Sequence, residues 1–192
     1  YGQGYGGGDE EDCRARFRRS REGGRNGSPA GIRIMPRMHL SLELHEEVPA
    51  GLPLELFEAA AQAALALGLP ASFSEQSFSL TAVAVSQEEI QRLNREYRDK
   101  DSVTDILSFW NFASVAELLL EKSATIELGE LFFAPEFIEQ AAQEDAVSYR
   151  REMTYIFSHG VLHLIGYDHE PEMFRIQDRI TDDVAPLPKD GR

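Results

Sequence analysis

Three of the five histidines fall within eleven residues, as His159, His163 and His169. Imidazoles at positions i and i+4 of a helix lie on one face with their Cβ atoms about 5–6 Å apart, close enough for both to reach one ion. A third ligand can join them only if the helix stops, and Gly166 stands three residues after His163 where such a stop is needed. Glycine takes the left-handed conformation that ends helices at little cost. The expected site therefore sits on a helix and the turn that follows it. Three neutral imidazoles that leave a fourth position open are the ligand set of a catalytic zinc, whereas structural zinc is closed by four protein ligands. One Zn2+ per chain is expected, and with it a metal-dependent hydrolase. His39 and His45 have no partner at ligand spacing and read as ordinary histidines. Asp168 is a candidate to orient a liganding imidazole from behind, or else a solvated turn residue; Glu170 reads as the latter.

The spacing H-x-x-x-H-x-x-G-x-x-H is similar to that of the metzincin proteases, whose first histidine is followed by the glutamate that serves as general base. Here that position is Gly160, which has no side chain to take a proton. Peptide hydrolysis of that kind is not expected.

The elements around the motif follow from periodicity. Leu40, Leu42 and Leu44 alternate and predict a strand to about Val48. Pro53 opens a helix with Leu54, Phe57, Ala60, Ala61, Ala64 and Leu65 on one face, ended by Gly68. Phe78 to Ala84 predicts a second strand. Ser86-Gln87-Glu88-Glu89 is a capping box before a helix carrying Ile90, Leu93, Asn94 and Tyr97. After a polar turn come the apolar stretch Ile106–Phe112, the unassigned segment Val115–Leu120, and a strand from Ile126 to Phe133 expected to break at Gly129. Pro135 opens a helix to about Ala146. Ser148 to Leu164 is the longest apolar-rich helix, with Met153, Ile156, Phe157, Val161 and Leu164 as core candidates, and Pro171 opens the last. Together these predict a mixed α/β (α+β) domain: a small mixed sheet of about four strands covered by about five helices.

Composition adds bounds. The chain has 192 residues with 42% hydrophobic and 9% aromatic content, enough for one domain with a real core. No apolar run is long enough to span a membrane. The single cysteine, Cys13, excludes a disulfide framework and a multi-cysteine zinc cluster, and fits a cytoplasmic location. Residues 1–37 hold 9 of the 15 glycines and 8 Arg against 5 acids, a composition expected to be a disordered extension. A targeting segment is disfavoured by the acidic block Asp9–Asp12, and a basic RNA-binding arm lacks aromatic interleaving. The rest, 38–192, has 11 basic and 28 acidic residues, a net charge of −17. Such a surface does not attract nucleic acid broadly, so any RNA contact must be local. The expected organisation is an extension over 1–37, a catalytic domain over 38–184 and a loose tail over 185–192.

The segment His159-Gly160-Val161-Leu162-His163-Leu164-Ile165-Gly166-Tyr167-Asp168-His169 resembles the H-G-x-L-H-L-x-G-Y-D-H motif of the YbeY family of rRNA-maturation endoribonucleases, with no mismatch at its fixed positions. Leu93-Asn94-Arg95-Glu96-Tyr97-Arg98 and Thr104-Asp105-Ile106-Leu107-Ser108-Phe109 are similar to a second family block, and Leu128-Gly129-Glu130 to a third with Glu for Asp. The likeness covers about residues 38–183. Trp110 departs from it, standing where the family commonly has Pro, so that strand end is expected to differ in shape. The resemblance implies a mixed α/β fold, a three-histidine zinc site, cleavage of single-stranded RNA, and work on small-subunit rRNA 3′ ends and in ribosome quality control. It also implies a functional arginine at Arg98. A guanidinium is a planar fork for phosphate. Arg92, Arg95 and Lys100 stand near it in sequence and are candidate RNA contacts, or else a solvated helix face. Asp105 orients a ligand or caps a turn. The expected partners are single-stranded RNA, chiefly rRNA, and the small subunit or one of its proteins. The alternatives are a metal hydrolase of another substrate and a non-catalytic ribosome-assembly factor.

Overall fold

The computed structural model describes residues 38–187. The expected extension over 1–37 and the tail beyond 187 lie outside the described residues. Strand β1 (His39–Glu46) leads into helix α1 (Leu54–Gly68), then β2 (Ser77–Ala84), α2 (Gln87–Arg98), β3 (Ile106–Trp110) and the single turn α3 (Val115–Leu118). They are followed by β4 (Thr125–Phe133), α4 (Pro135–Glu144), α5 (Tyr149–Leu164) and α6 (Pro171–Val184). The four strands form one sheet in the order β1-β2-β4-β3. β1, β2 and β4 run parallel, and β3 closes one edge antiparallel to β4. The mixed α/β architecture predicted above is the one observed, with α3 as one more short helix than expected. No helix among the described residues is long and apolar enough to cross a membrane.

Local rules explain most boundaries. The Ser86 hydroxyl accepts from the Glu89 N–H at 3.2 Å to start α2, and the Ser148 hydroxyl accepts from the Arg151 N–H at 3.3 Å to start α5. α4 stops two residues sooner than expected because Ala146 adopts φ 52. The break expected at Gly129 is instead a bulge within a continuous strand. The β2–β4 register shifts between Ser79 and Thr81, and Gly129 takes φ 135. A Cβ there would collide with the Phe109 carbonyl of β3, so only glycine fits.

The sheet is covered on both faces. One face carries α1 and α5 around the main core, where Phe57, Phe133 and Phe157 meet with ring centroids 5.0–6.1 Å apart. Each such buried ring contributes roughly 1.5–3 kcal/mol. The other face carries α2, through Ile90 and Leu93 against Val83, Val85 and Leu107. α5 packs on α1, α4, α6, β3 and β4, and is buried without interruption from Glu152 to Leu162. A helix enclosed in this way cannot turn about its axis, so the direction of its side chains is set by the whole core.

Candidate metal centre

α5 presents His159 and His163 on one face, and its end is built to return a third histidine to them. The Gly166 N–H donates to the His163 carbonyl and the Tyr167 N–H to the Leu162 carbonyl, each at 3.0 Å. This is the Schellman arrangement, with Gly166 at φ 89. A Cβ at Gly166 would collide with the backbone of Ser114, so the β3–α3 loop also seats against this turn. The Tyr167 hydroxyl donates to the Gly68 carbonyl at 3.0 Å and ties the turn to the end of α1. The Asp168 carboxylate accepts the His169 N–H at 2.7 Å, and the chain then enters α6.

The three imidazoles converge, with ring centroids 4.5, 4.7 and 5.1 Å apart and ligand nitrogens all within 4.8 Å of one another. Their protons can be placed. His163 Nδ1 lies 2.8 Å from the Tyr167 carbonyl, which only accepts, so Nδ1 carries the proton. His159 Nδ1 lies 3.3 Å from Gln177 Oε1. The Gln177 amide is oriented by its own Nε2, which donates to the Tyr155 carbonyl at 3.0 Å, so Oε1 is the atom that accepts. Both Nε2 atoms are therefore unprotonated acceptors, yet they stand 3.0 Å apart. Two lone pairs at that separation repel unless they share a cation. His169 adds a buried Nδ1 with no hydrogen-bond partner, 3.4 Å from the exposed Asp168 carboxylate. The donor set fits a transition-metal ion: three imidazole nitrogens, with the second nitrogen anchored in His159 and His163.

The electrostatics agree. Burial, then the neighbouring His169, pushes His159 down to about 3 against the accepting bond from Gln177, and the charge of Arg98 adds to the shift. Burial and the other two imidazoles hold His163 well below its usual value, with Arg98 contributing again. His159 and His163 are thus neutral and ready to bind a cation at ordinary pH. Asp168 is lowered chiefly by the backbone N–H of His169, the bond that shapes the turn.

The remaining candidates separate. Arg98 ends α2, where Asp99 in the left-handed region (φ 56) turns the chain back, and it is the cation the histidines feel. Asn94, buried in the same helix, donates to the Ser102 carbonyl at 2.9 Å and pins that turn. Arg92 pairs with Glu89 at 2.7 Å and Glu96 at 2.6 Å, and Arg95 with Asp101 at 3.2 Å. Lys100 is exposed on the turn. Asp105 accepts from the Ile106 N–H at 2.7 Å at the start of β3. His39 and His45 lie on β1, at the opposite edge of the sheet from β3. Gly160 has a physical reason: an added Cβ would lie 2.7 Å from Ile106 Cδ1 and 2.9 Å from Leu131 Cδ2. The helix is pressed onto the sheet there, and a larger side chain would have to push these two side-chain ends aside. Two contributors escaped the motif reading. Gln177 is buried in α6, and its signal was a polar side chain in the apolar phase of Met173 and Ile180. Trp110, noticed only as a departure, stacks on His163.

Residues 46–185 match the family model described as Endoribonuclease YbeY. A protein named Endoribonuclease YbeY from Oenococcus oeni is 37% identical over 121 residues, 56% of this chain and 73% of that protein. Another so named from Sulfurovum sp. is 33% identical over 136 residues, 70% of this chain and 82% of that one. A third, from Bdellovibrio bacteriovorus, is 38% identical over 105 residues, 52% of this chain and 63% of its own length. The solution structure of a Thermotoga maritima protein shares the fold, with a TM-score of 0.50 at 23% identity, covering 79% of this chain and 99% of that one.

Proposed function

This chain belongs to the YbeY family of endoribonucleases, and from that premise we propose that it is a zinc-dependent endoribonuclease for single-stranded RNA, with residues 38–184 as its catalytic unit. Its place is in the cytoplasm, in small-subunit rRNA 3′ end maturation and ribosome quality control. The observation that carries the reading is the convergence of His159, His163 and His169 on one point, beside a cation supplied by Arg98.

In this reading His159, His163 and His169 hold the ion. Gln177 and the Tyr167 carbonyl keep the protons on Nδ1 of His159 and His163, so that Nε2 faces the centre. Zinc, when bound, lowers the pKa of a coordinated water to about 7 and polarises a phosphoryl oxygen. Arg98 offers its fork to the scissile phosphate and stabilises the charge that develops there. Arg92 and Arg95 are held by carboxylates and Lys100 is exposed on the turn after α2, so they serve as secondary RNA contacts at most; Asp168 and Asp105 shape the turn and the strand start. Gly160 supplies no base; the nucleophile is either water or the RNA's own 2′-hydroxyl, and in either case its proton passes to solvent. Product termini separate these: a 2′,3′-cyclic phosphate marks the hydroxyl, a 5′-phosphate marks water.

Metal analysis of the purified chain, followed by cleavage of an unpaired RNA with and without chelator, tests the proposal. Zinc near one per chain and chelator-sensitive cleavage, both lost in His163→Ala, are expected. Cleavage that persists with chelator sinks it. A second reading rests on the net charge of −17 over 38–192. The main contact is then a basic ribosomal protein and the chain serves assembly without cutting. Normal rRNA ends in cells carrying His163→Ala are its signature.

A further inference from the structure

Trp110 is the only tryptophan of the chain and ends β3, the edge strand. Ile106 and Ser108 of β3 face Gly160 of α5: the Ser108 hydroxyl lies 3.5 Å from the Gly160 carbonyl. Two residues on, with strand periodicity, the indole of Trp110 comes over His163, one helical turn beyond Gly160. The rings stack with centroids 6.4 Å apart and planes 29° apart. Directly across the ladder from Trp110 is Gly129, which places no side chain against it. On its other side β3 has no neighbouring strand among the described residues. Trp110 is accordingly only half-buried, although it is a large aromatic.

Beyond Arg98 and the metal centre, charge gives RNA little hold here. Residues 38–192 carry 28 acidic and 11 basic residues, and Arg92 and Arg95 are engaged by Glu89, Glu96 and Asp101. Stacking of a base on an aromatic ring needs no cation, and every base offers a π-face. It is also the usual way a protein grips an unpaired base. We infer that the Trp110 indole is a stacking platform for a nucleobase next to the scissile phosphate, a role that rests on the endoribonuclease reading. Trp110 is then a substrate-positioning residue at the edge of the metal centre.

The test uses the full chain loaded with zinc, and short unpaired oligoribonucleotides in which each nucleotide near the cleaved bond is made abasic in turn. In the wild-type chain, loss of one particular base raises KM by about 5- to 150-fold. Trp110→Leu keeps apolar cover on His163 but has no aromatic face. It raises KM for the intact RNA by a similar factor, keeps zinc content and kcat, and abolishes sensitivity to that base. Trp110→Phe retains most of the sensitivity. Trp110 fluorescence reads the same event at equilibrium: intact RNA quenches it, and RNA lacking that base does not. An unchanged KM in Trp110→Leu overturns the proposal. So does loss of zinc from that variant with its base sensitivity intact, because Trp110 then only supports His163. Failure of the endoribonuclease reading is distinct: the wild-type chain does not cleave RNA, and the quenching alone then decides for or against the platform.

Discussion

Gln177 holds the proton of His159 from a helix that contributes no ligand, and its own amide is fixed by the Tyr155 carbonyl. Removing that acceptor frees the ring to change tautomer or turn. Outer partners of metal-bound histidines are worth about 10–100-fold in metal affinity. Gln177→Leu, close in volume, should therefore weaken zinc binding by a factor in that range while the chain stays folded, measured by competition with a chromophoric chelator. Unchanged affinity would reduce Gln177 to packing. His159 also fixes a pH dependence. Burial, then His169, brings it from an ordinary 6.5 down to about 3 in the folded chain. Between those values the unfolded chain binds a proton that the folded one refuses, so stability falls as pH drops through that window; above 6.5 neither form is protonated and the contribution is flat. His163 shifts in the same direction. Chelator-treated protein should thus lose stability to denaturant from about pH 6.5 downwards, and His159→Gln, which cannot be protonated, should flatten part of that slope.

At the scale of elements, α5 and the turn after it act as one unit. Gly166 meets two demands at once, a positive φ of 89 and a close approach by Ser114. Gly166→Ala should cost about 1–3 kcal/mol from the backbone conformation alone, lower the thermal midpoint, and weaken zinc binding because His169 is no longer returned to the other two. A variant with wild-type zinc affinity would show that the turn does not position His169. Asn94 plays the corresponding part for Arg98: Asn94→Ala should release the turn after α2 and reduce cleavage with zinc content unchanged. These dependencies explain what was readable from sequence. The i, i+4 histidines, the stop glycine and the capping serines are local, and helix geometry alone predicts their arrangement. Gln177 over His159, Trp110 over His163 and the close packing at Gly160 depend on how α6 docks on α5 and on β3 pairing antiparallel with β4. No spacing encodes those contacts. The same holds for Gly129, where a break and a bulge look alike until the partner strand is known.

At the scale of the molecule, the charge distribution governs how RNA arrives. Over 38–192 the net charge is −17, and Arg92, Arg95, Arg151 and Arg179 are all paired with carboxylates. Arg98 and the metal centre leave only about one or two phosphates to be neutralised. For a single strand that gives a slope of log affinity against log salt of about −0.7 to −1.4. A protein binding RNA through a broad basic face would show a slope several times steeper. The only dense run of cations in the chain is the set of 8 Arg within residues 1–37. If those residues formed an RNA-binding arm, the full chain would show the steep slope, and a chain starting at Met38 would lose it. We expect instead that both chains give the same shallow slope in a fluorescence titration with unpaired RNA across a range of salt concentrations. The acidic block Asp9–Asp12 beside those arginines, with Glu22 among them, cancels much of their field, and binding through a metal ion, one guanidinium and a stacked base depends little on counterion release.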